Sequence, residues 1–144
     1  GSEMCIRDRN CTFSLHNCYS NYEVLARYAC ELRNCSQLAL EFANRDSRQA
    51  GIGDERTGYK DIKLFEDYGF RGNYGLGVID VHTDFVEPPE LIRDRILHGA
   101  KVIKNPDRVY ASTDCGLRTR TWEMSFKKLE NLVLGAKLAG KALE

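Results

Sequence analysis

The feature that most constrains this chain is a fourfold alternation of strand-like and helix-like segments with no hairpin signal between them. Short apolar runs occur at 11–15, 37–42, 74–81 and 108–111. A segment with helical character follows each of them. Tyr22, Leu25, Ala26, Ala29 and Leu32 recur at helical spacing, with Ser20 or Asn21 placed to cap them. A polar, Gly-rich stretch at 44–59 reads as a loop, and Asp61 to Tyr68 as a short amphipathic helix stopped by Gly69. Pro88 and Pro89 open a helix that runs to about Val102, since proline is tolerated in a first turn. Thr121 starts the last helix, where Trp122, Phe126, Leu129, Leu132, Val133, Ala136 and Leu138 are expected to supply most of an inward stripe. On that reading Trp122 is a core residue. No turn of the Asn-Gly type is present, so the strands are expected to run parallel. The fold class is therefore α/β. Four βα units make either half of an eight-stranded barrel or a small doubly wound sheet. Gly75-Leu76-Gly77 lies inside a strand and no Gly-x-Gly-x-x-Gly follows the first one, which argues against a dinucleotide site.

At 144 residues the chain has room for one domain with a modest core. Lys+Arg and Asp+Glu are equal at 21, and no basic stripe stands out, so a nucleic-acid partner is not implied. No apolar run is long enough to cross a bilayer and no signal-peptide pattern is evident, so no membrane association is implied and a cytoplasmic setting is the default expectation. Six cysteines are many for that setting: Cys5, Cys11, Cys18, Cys30, Cys35 and Cys115. Core-forming runs are ample without staples, which favours reduced thiols, at least two of them serving a metal, over a disulfide scaffold. Residues 1–9 have no apolar period, and Met4-Cys5-Ile6-Arg7-Asp8 resembles a translated transposon end of the kind used in sequencing adapters. This leader is set apart as non-native or disordered, and the natural protein is expected to extend further at its front. The domain proper is expected over 10–144.

The chemistry-bearing residues fall at one kind of place. His16 and Cys18 follow the first strand, Glu41 ends the second, Asp80 and His82 end the third, and Asp114 and Cys115 follow the fourth. In parallel barrels the C-terminal ends of the strands form the active face. His16, Cys18, Glu41 and Cys115 offer one imidazole, two thiolates and one carboxylate, a donor set that favours zinc over magnesium or calcium. His16-x-Cys18 puts both side chains on one side of an extended segment. The plainer alternative is two half-buried cysteines, a core histidine and a strand-end glutamate.

Four stretches carry a resemblance: Leu15-His16-Asn17-Cys18-Tyr19, Leu40-Glu41-Phe42, Gly75-Leu76-Gly77-Val78-Ile79-Asp80-Val81-His82, and Asp114-Cys115-Gly116-Leu117-Arg118-Thr119-Arg120. In this order, and over nearly all of 10–143, they resemble the C-terminal catalytic barrel of the cobalamin-independent methionine synthase family. The resemblance implies the C-terminal half, about four βα units, of a TIM (β/α)8 barrel, truncated at its N-terminus. It implies Zn2+ held by His16, Cys18, Glu41 and Cys115. It implies methyl transfer from a 5-methyltetrahydrofolate polyglutamate to a thiol such as homocysteine, giving methionine. The departing folate nitrogen needs a proton, and His82 matches the family's candidate general acid, with Asp80 placed to orient the imidazole or tune it. Small-molecule thiol and methyl donor are then the partners, together with the missing N-terminal half of the barrel, without which the isolated chain is expected to be inactive.

Two departures from the family pattern keep other readings open. The 44–59 loop is longer than its typical counterpart and carries Arg45, Asp46, Arg48, Asp54, Glu55 and Arg56, enough charge to contact a substrate or another subunit. His82 is followed by Thr83-Asp84-Phe85 in place of a Ser-Pro-like continuation. Zinc-activated thiol alkylation with another electrophile, as in an epoxide–coenzyme M transferase, and a noncatalytic zinc-binding module are the alternatives. Arg118 and Arg120 are candidates for an anionic substrate or for ion pairs. His98 is expected to serve as a charge partner near a helix C-terminus, and Cys11, Cys30 and Cys35 as small packing residues.

Overall fold

A computed structural model describes residues 12–32 and 34–144. The leader at 1–9, with Cys5, and also Cys11, lie outside the described residues. The chain forms β1 (Phe13–Asn17), α1 (Tyr22–Cys30), β2 (Cys35–Leu40), α2 (Ile62–Asp67), β3 (Asn73–Ile79), α3 (Pro89–Ile103), β4 (Val109–Thr113) and α4 (Trp122–Leu143). Single 3-10 turns at Ala43–Arg45, Thr57–Tyr59 and Pro106–Arg108 punctuate the connections, the first two bracketing the loop expected at 44–59.

All strand pairs are parallel and the sheet order is β1-β2-β3-β4. A doubly wound sheet reverses direction at a switch point; this one never does. Constant right-handed crossovers then place every helix on the same face, and each helix packs against the next in sequence. That is the layout of a barrel segment. Registers His16↔Ala39, Leu40↔Leu76 and Ile79↔Thr113 align the strands so that their C-terminal ends share one edge.

The local reasons are legible. Asn21 caps α1 by accepting from the backbone N–H groups of Glu23 and Val24. Pro89 sits in the first turn of α3. Thr121 caps α4 by accepting from Met124 N. β3 is buried from Tyr74 to Ile79, as expected of a central parallel strand covered on both sides. The core joins β2 and β3 to Tyr22, Ala26 and Ala29 of α1, Ile62 and Phe65 of α2, and Ile92, Ile96 and Ile103 of α3. Cys30 and Cys35 pack against it, in keeping with the packing role expected of them.

Three expectations are corrected. Four residues of the stripe assigned to the core from α4 face outward: Trp122 is 82% and Phe126 65% exposed, and Leu129 and Val133 are exposed too, while Leu132 and Ala136 do pack against the core. The buried face of α4 is Lys128, Gly135 and Ala139, flanked by Leu132 and Ala136. Small residues win there because α4 lies close on α3; a Cβ on Gly135 would meet Ile92 side-chain atoms at 2.5 Å. His98 does not sit at a helix end, since α3 continues to Ile103. Its pKa is lowered by burial, so it is a poor charge partner, although its Nδ1 lies 3.8 Å from Asp54. In the 44–59 loop, the Asp46 and Arg56 side chains are fully buried rather than offered to a partner. Asp46 Oδ2 accepts from Arg56 at 2.8 Å and from Arg95 of α3 at 3.0 Å, so this charge holds the loop to the domain.

Candidate metal centre

His16 is the fourth residue of β1, and Cys18 follows directly after the strand. Tyr19 then turns the chain with φ of 52°. Cys115 lies two residues beyond the end of β4. These three residues, the two cysteines 97 apart in sequence, bring one ligand atom each to within 4.8 Å of one another. The two Sγ atoms are 4.0 Å apart, against about 3.8 Å for two sulfurs each bonded to one tetrahedral zinc. His16 Nδ1 is 3.1 Å from Ala39 O. A carbonyl only accepts, so the neutral ring carries its proton on Nδ1 and leaves the Nε2 lone pair free for a metal. Burial pushes the Cys18 thiol up, and so do the adjoining Cys115 thiol and the charge of Glu41. Negative groups crowd this point, and a cation there would reverse the penalty.

Glu41 is the residue after β2 and is fully buried. It lies outside the 4.8 Å group. Its Oε1 accepts from Tyr19 N at 2.8 Å, Asn44 Nδ2 at 3.2 Å and Arg45 at 3.3 Å. Its Oε2 is buried with no hydrogen-bond partner, and His82 Nε2 stands 3.9 Å away. A buried carboxylate oxygen left unpaired is costly. A buried acceptor of this kind suits a cation, and the donor set of His16, Cys18 and Cys115 suits zinc. The Glu41 main chain is clamped as well. Tyr22 Oη donates to Glu41 O at 2.8 Å and accepts from Glu41 N at 2.9 Å.

His82 follows β3 by three residues and packs its ring on Tyr19 at a centroid distance of 4.9 Å. Asp80 Oδ1 accepts from His82 N at 2.8 Å, so Asp80 orients His82 through the main chain rather than through the ring. Residues 80–87 are fastened from behind by Lys128, a wholly buried lysine of α4. Its Nζ donates to Asp80 O at 2.9 Å, Glu87 Oε2 at 3.0 Å and the Phe85 carbonyl. Glu87 Oε1 in turn accepts from Asp80 N at 2.8 Å. Sequence reasoning missed Lys128, Glu87 and Tyr22. For Lys128 the signal was its phase, four residues before Leu132 and seven before Gly135, on the face of small residues.

Asp114 is buried, and burial pushes its carboxyl up to about 7 against three backbone N–H bonds that pull it down. Arg120 pairs with Asp84, while Arg118 is exposed; both line a cleft of about 390 Å³ with Leu117, Trp122, Ser125 and Leu129. From the 44–59 loop, Arg48 reaches this end of the sheet, over the Phe85 ring at 5.0 Å and 4.0 Å from Asp80 Oδ2.

Comparison with known proteins agrees with this layout. The family described as "Cobalamin-independent synthase, Catalytic domain" matches residues 3–138. A methionine synthase of Thermoplasma acidophilum is 42% identical over 127 residues, 84% of this chain and 37% of the relative. One from Thermococcus kodakarensis is 36% identical over 131 residues, 91% of this chain and 34% of the relative. The chain thus spans about a third of the length of the curated relatives it matches. A solved B12-independent methionine synthase from Shewanella sp. W3-18-1, in complex with selenomethionine, superposes with a TM-score of 0.75 at 22% identity, covering 96% of this chain and 41% of that one. The likeness shows the fold: the four βα units are half of a (β/α)8 barrel. With the family profile running over nearly the whole chain, this protein belongs to the cobalamin-independent synthase catalytic-domain family.

Proposed function

We propose that this chain carries the metal and proton-donating face of a zinc-dependent methyltransferase that moves a methyl group from a 5-methyltetrahydrofolate polyglutamate to a thiol such as homocysteine, giving methionine. The observation that carries the reading is the convergence of His16, Cys18 and Cys115 within 4.8 Å, beside a buried Glu41 oxygen that lacks a partner. His16, Cys18 and Cys115 would hold the zinc, and Glu41 Oε2 would complete the set. Zinc, when bound, supplies Lewis acidity that keeps an acceptor thiol as its nucleophilic thiolate.

The chain's own residues supply the rest. His16 offers Nε2 because Ala39 O engages Nδ1. Tyr22 and Arg45 hold Glu41 so that its free oxygen faces the same region as His82. As the S–CH3 bond forms and the N–CH3 bond breaks, the folate nitrogen takes up a proton, and His82 is the residue assigned to give it. Asp80, Glu87 and Lys128 hold the segment on which His82 rides.

The test is metal content. The purified reduced chain should hold close to one zinc, and the Cys18→Ser/Cys115→Ser pair should lose it. A folded wild-type chain without zinc removes the support for the mechanism and leaves a noncatalytic role.

A further inference from the structure

We propose that Asp114 is a positioning residue that fastens the Glu41 turn to the Cys115 loop, so that the ligand-bearing ends of β2 and β4 stand at the separation a single metal ion requires. The inference rests on the zinc reading above.

The geometry is a latch across β3. Asp114 Oδ1 accepts from Phe42 N at 2.9 Å and from Ala43 N at 3.0 Å, and Oδ2 accepts from Asn44 N at 2.8 Å. These are the three residues after Glu41, at the head of a single 3-10 turn whose N–H groups have no helical acceptor. The Asp114 main chain is fixed independently, its N–H donating to Ile79 O at 2.9 Å. Thr113 Oγ1 donates to Cys115 O at 2.7 Å, which sets the next residue. One buried side chain therefore spans from the end of β4, over β3, to the turn behind β2. β3 makes room for it: a Cβ on Gly77 would stand 2.1 Å from Asp114 Oδ1. Both carboxylate oxygens are used as acceptors, and no neutral side chain of the same shape can replace them. In Asp114→Asn the amide nitrogen would face the Asn44 N–H, donor against donor, while the oxygen keeps two of the three bonds.

Groups one step behind metal ligands typically change metal affinity by about 10–100-fold when removed. The experiment uses the full 144-residue chain, with cobalt(II) as the spectroscopic substitute for zinc. Wild type, Asp114→Asn, Asp114→Ala and Gly77→Ala are compared by chelator competition, by thiolate-to-cobalt absorbance, and by amide exchange in the metal-free state. In the variants the amides of Phe42, Ala43 and Asn44 should exchange faster while those of β3 hold. Cobalt affinity should fall by about 10–100-fold, further for Ala than for Asn. The thiolate-to-cobalt band should persist per bound ion, since Cys18 and Cys115 remain. Gly77→Ala presses on the same carboxylate without changing residue 114, and also on Leu40 O, 2.7 Å from the added Cβ; its affinity should move in the same direction. A variant that frees the 42–44 amides yet binds cobalt as tightly as wild type overturns the positioning role, as does one whose amides stay protected. A folded wild-type chain that takes up no cobalt overturns the zinc reading and this inference together.

Discussion

At the scale of the residue, Lys128 shows how far a single side chain can determine a site it never touches. An ammonium has three donors, and all three are spent on the 80–87 segment: two carbonyls and the Glu87 carboxylate. Removing the charge while keeping the bulk, as in Lys128→Met, leaves buried Glu87 with only the longer Arg95 contact at 3.8 Å for a counter-charge. Such a loss costs about 3–5 kcal/mol, readable as a lower midpoint in urea unfolding. A variant as stable as wild type would show that Glu87 finds another partner. The residue scale is also where the metal set was most legible. Imidazole, thiols and a carboxylate at strand ends have few uses in common, and three of the four candidates meet. The partner of the Asp80 carboxylate was not legible, because an aspartate two residues before a histidine can engage either its ring or its backbone.

At the scale of the element, α4 presents two stripes of one period. Trp122, Phe126, Leu129 and Val133 form one; Lys128, Leu132, Gly135 and Ala139 form the other. Hydrophobicity favours the first, yet the protein buries the second. Periodicity gives the phase of a face but not its direction, and close packing on Ile92 requires small residues. Trp122 is the sole tryptophan, and it stacks on Phe126 at 6.0 Å in the open. Its fluorescence should be red-shifted and readily quenched by acrylamide in dilute solution. Shielded, blue-shifted emission at the same dilution would mean that something covers the stripe.

At the scale of the whole molecule, buried charge ties the loops to the barrel segment. Asp46, Arg56, Arg95, Glu87 and Lys128 are all withdrawn from water and linked pair to pair. His98 borders this set, with Asp54, Asp46, Arg56 and Lys101 around it and the Tyr59 ring beside it. Burial holds its folded pKa below 6.5. Above pH 6.5 both folded and unfolded forms are neutral and the group adds nothing to the pH slope. As pH falls below 6.5 the unfolded chain takes the proton first, and stability declines until the folded pKa is passed. His98→Gln should therefore flatten the stability profile between neutral and mildly acid pH relative to wild type. An unchanged slope would place the titration elsewhere.

What the sequence determined by itself is local and periodic. The βα alternation, the caps at Asn21 and Thr121, and the proline start of α3 follow from short-range sterics and hydrogen bonding. The convergence of His16, Cys18 and Cys115 follows from those rules together, because parallel strands with sequential order gather their C-terminal ends. What only the tertiary structure decided depends on contacts between distant segments. These include which face of α4 turns inward, that Asp46 and Arg56 sink into the domain, and that Glu41 keeps one oxygen free beside His82. The Asp114 latch belongs here too, since its three bonds reach back 70 to 72 residues. No pattern along the chain encodes such a bond. It exists because β3 has a glycine where the carboxylate must pass.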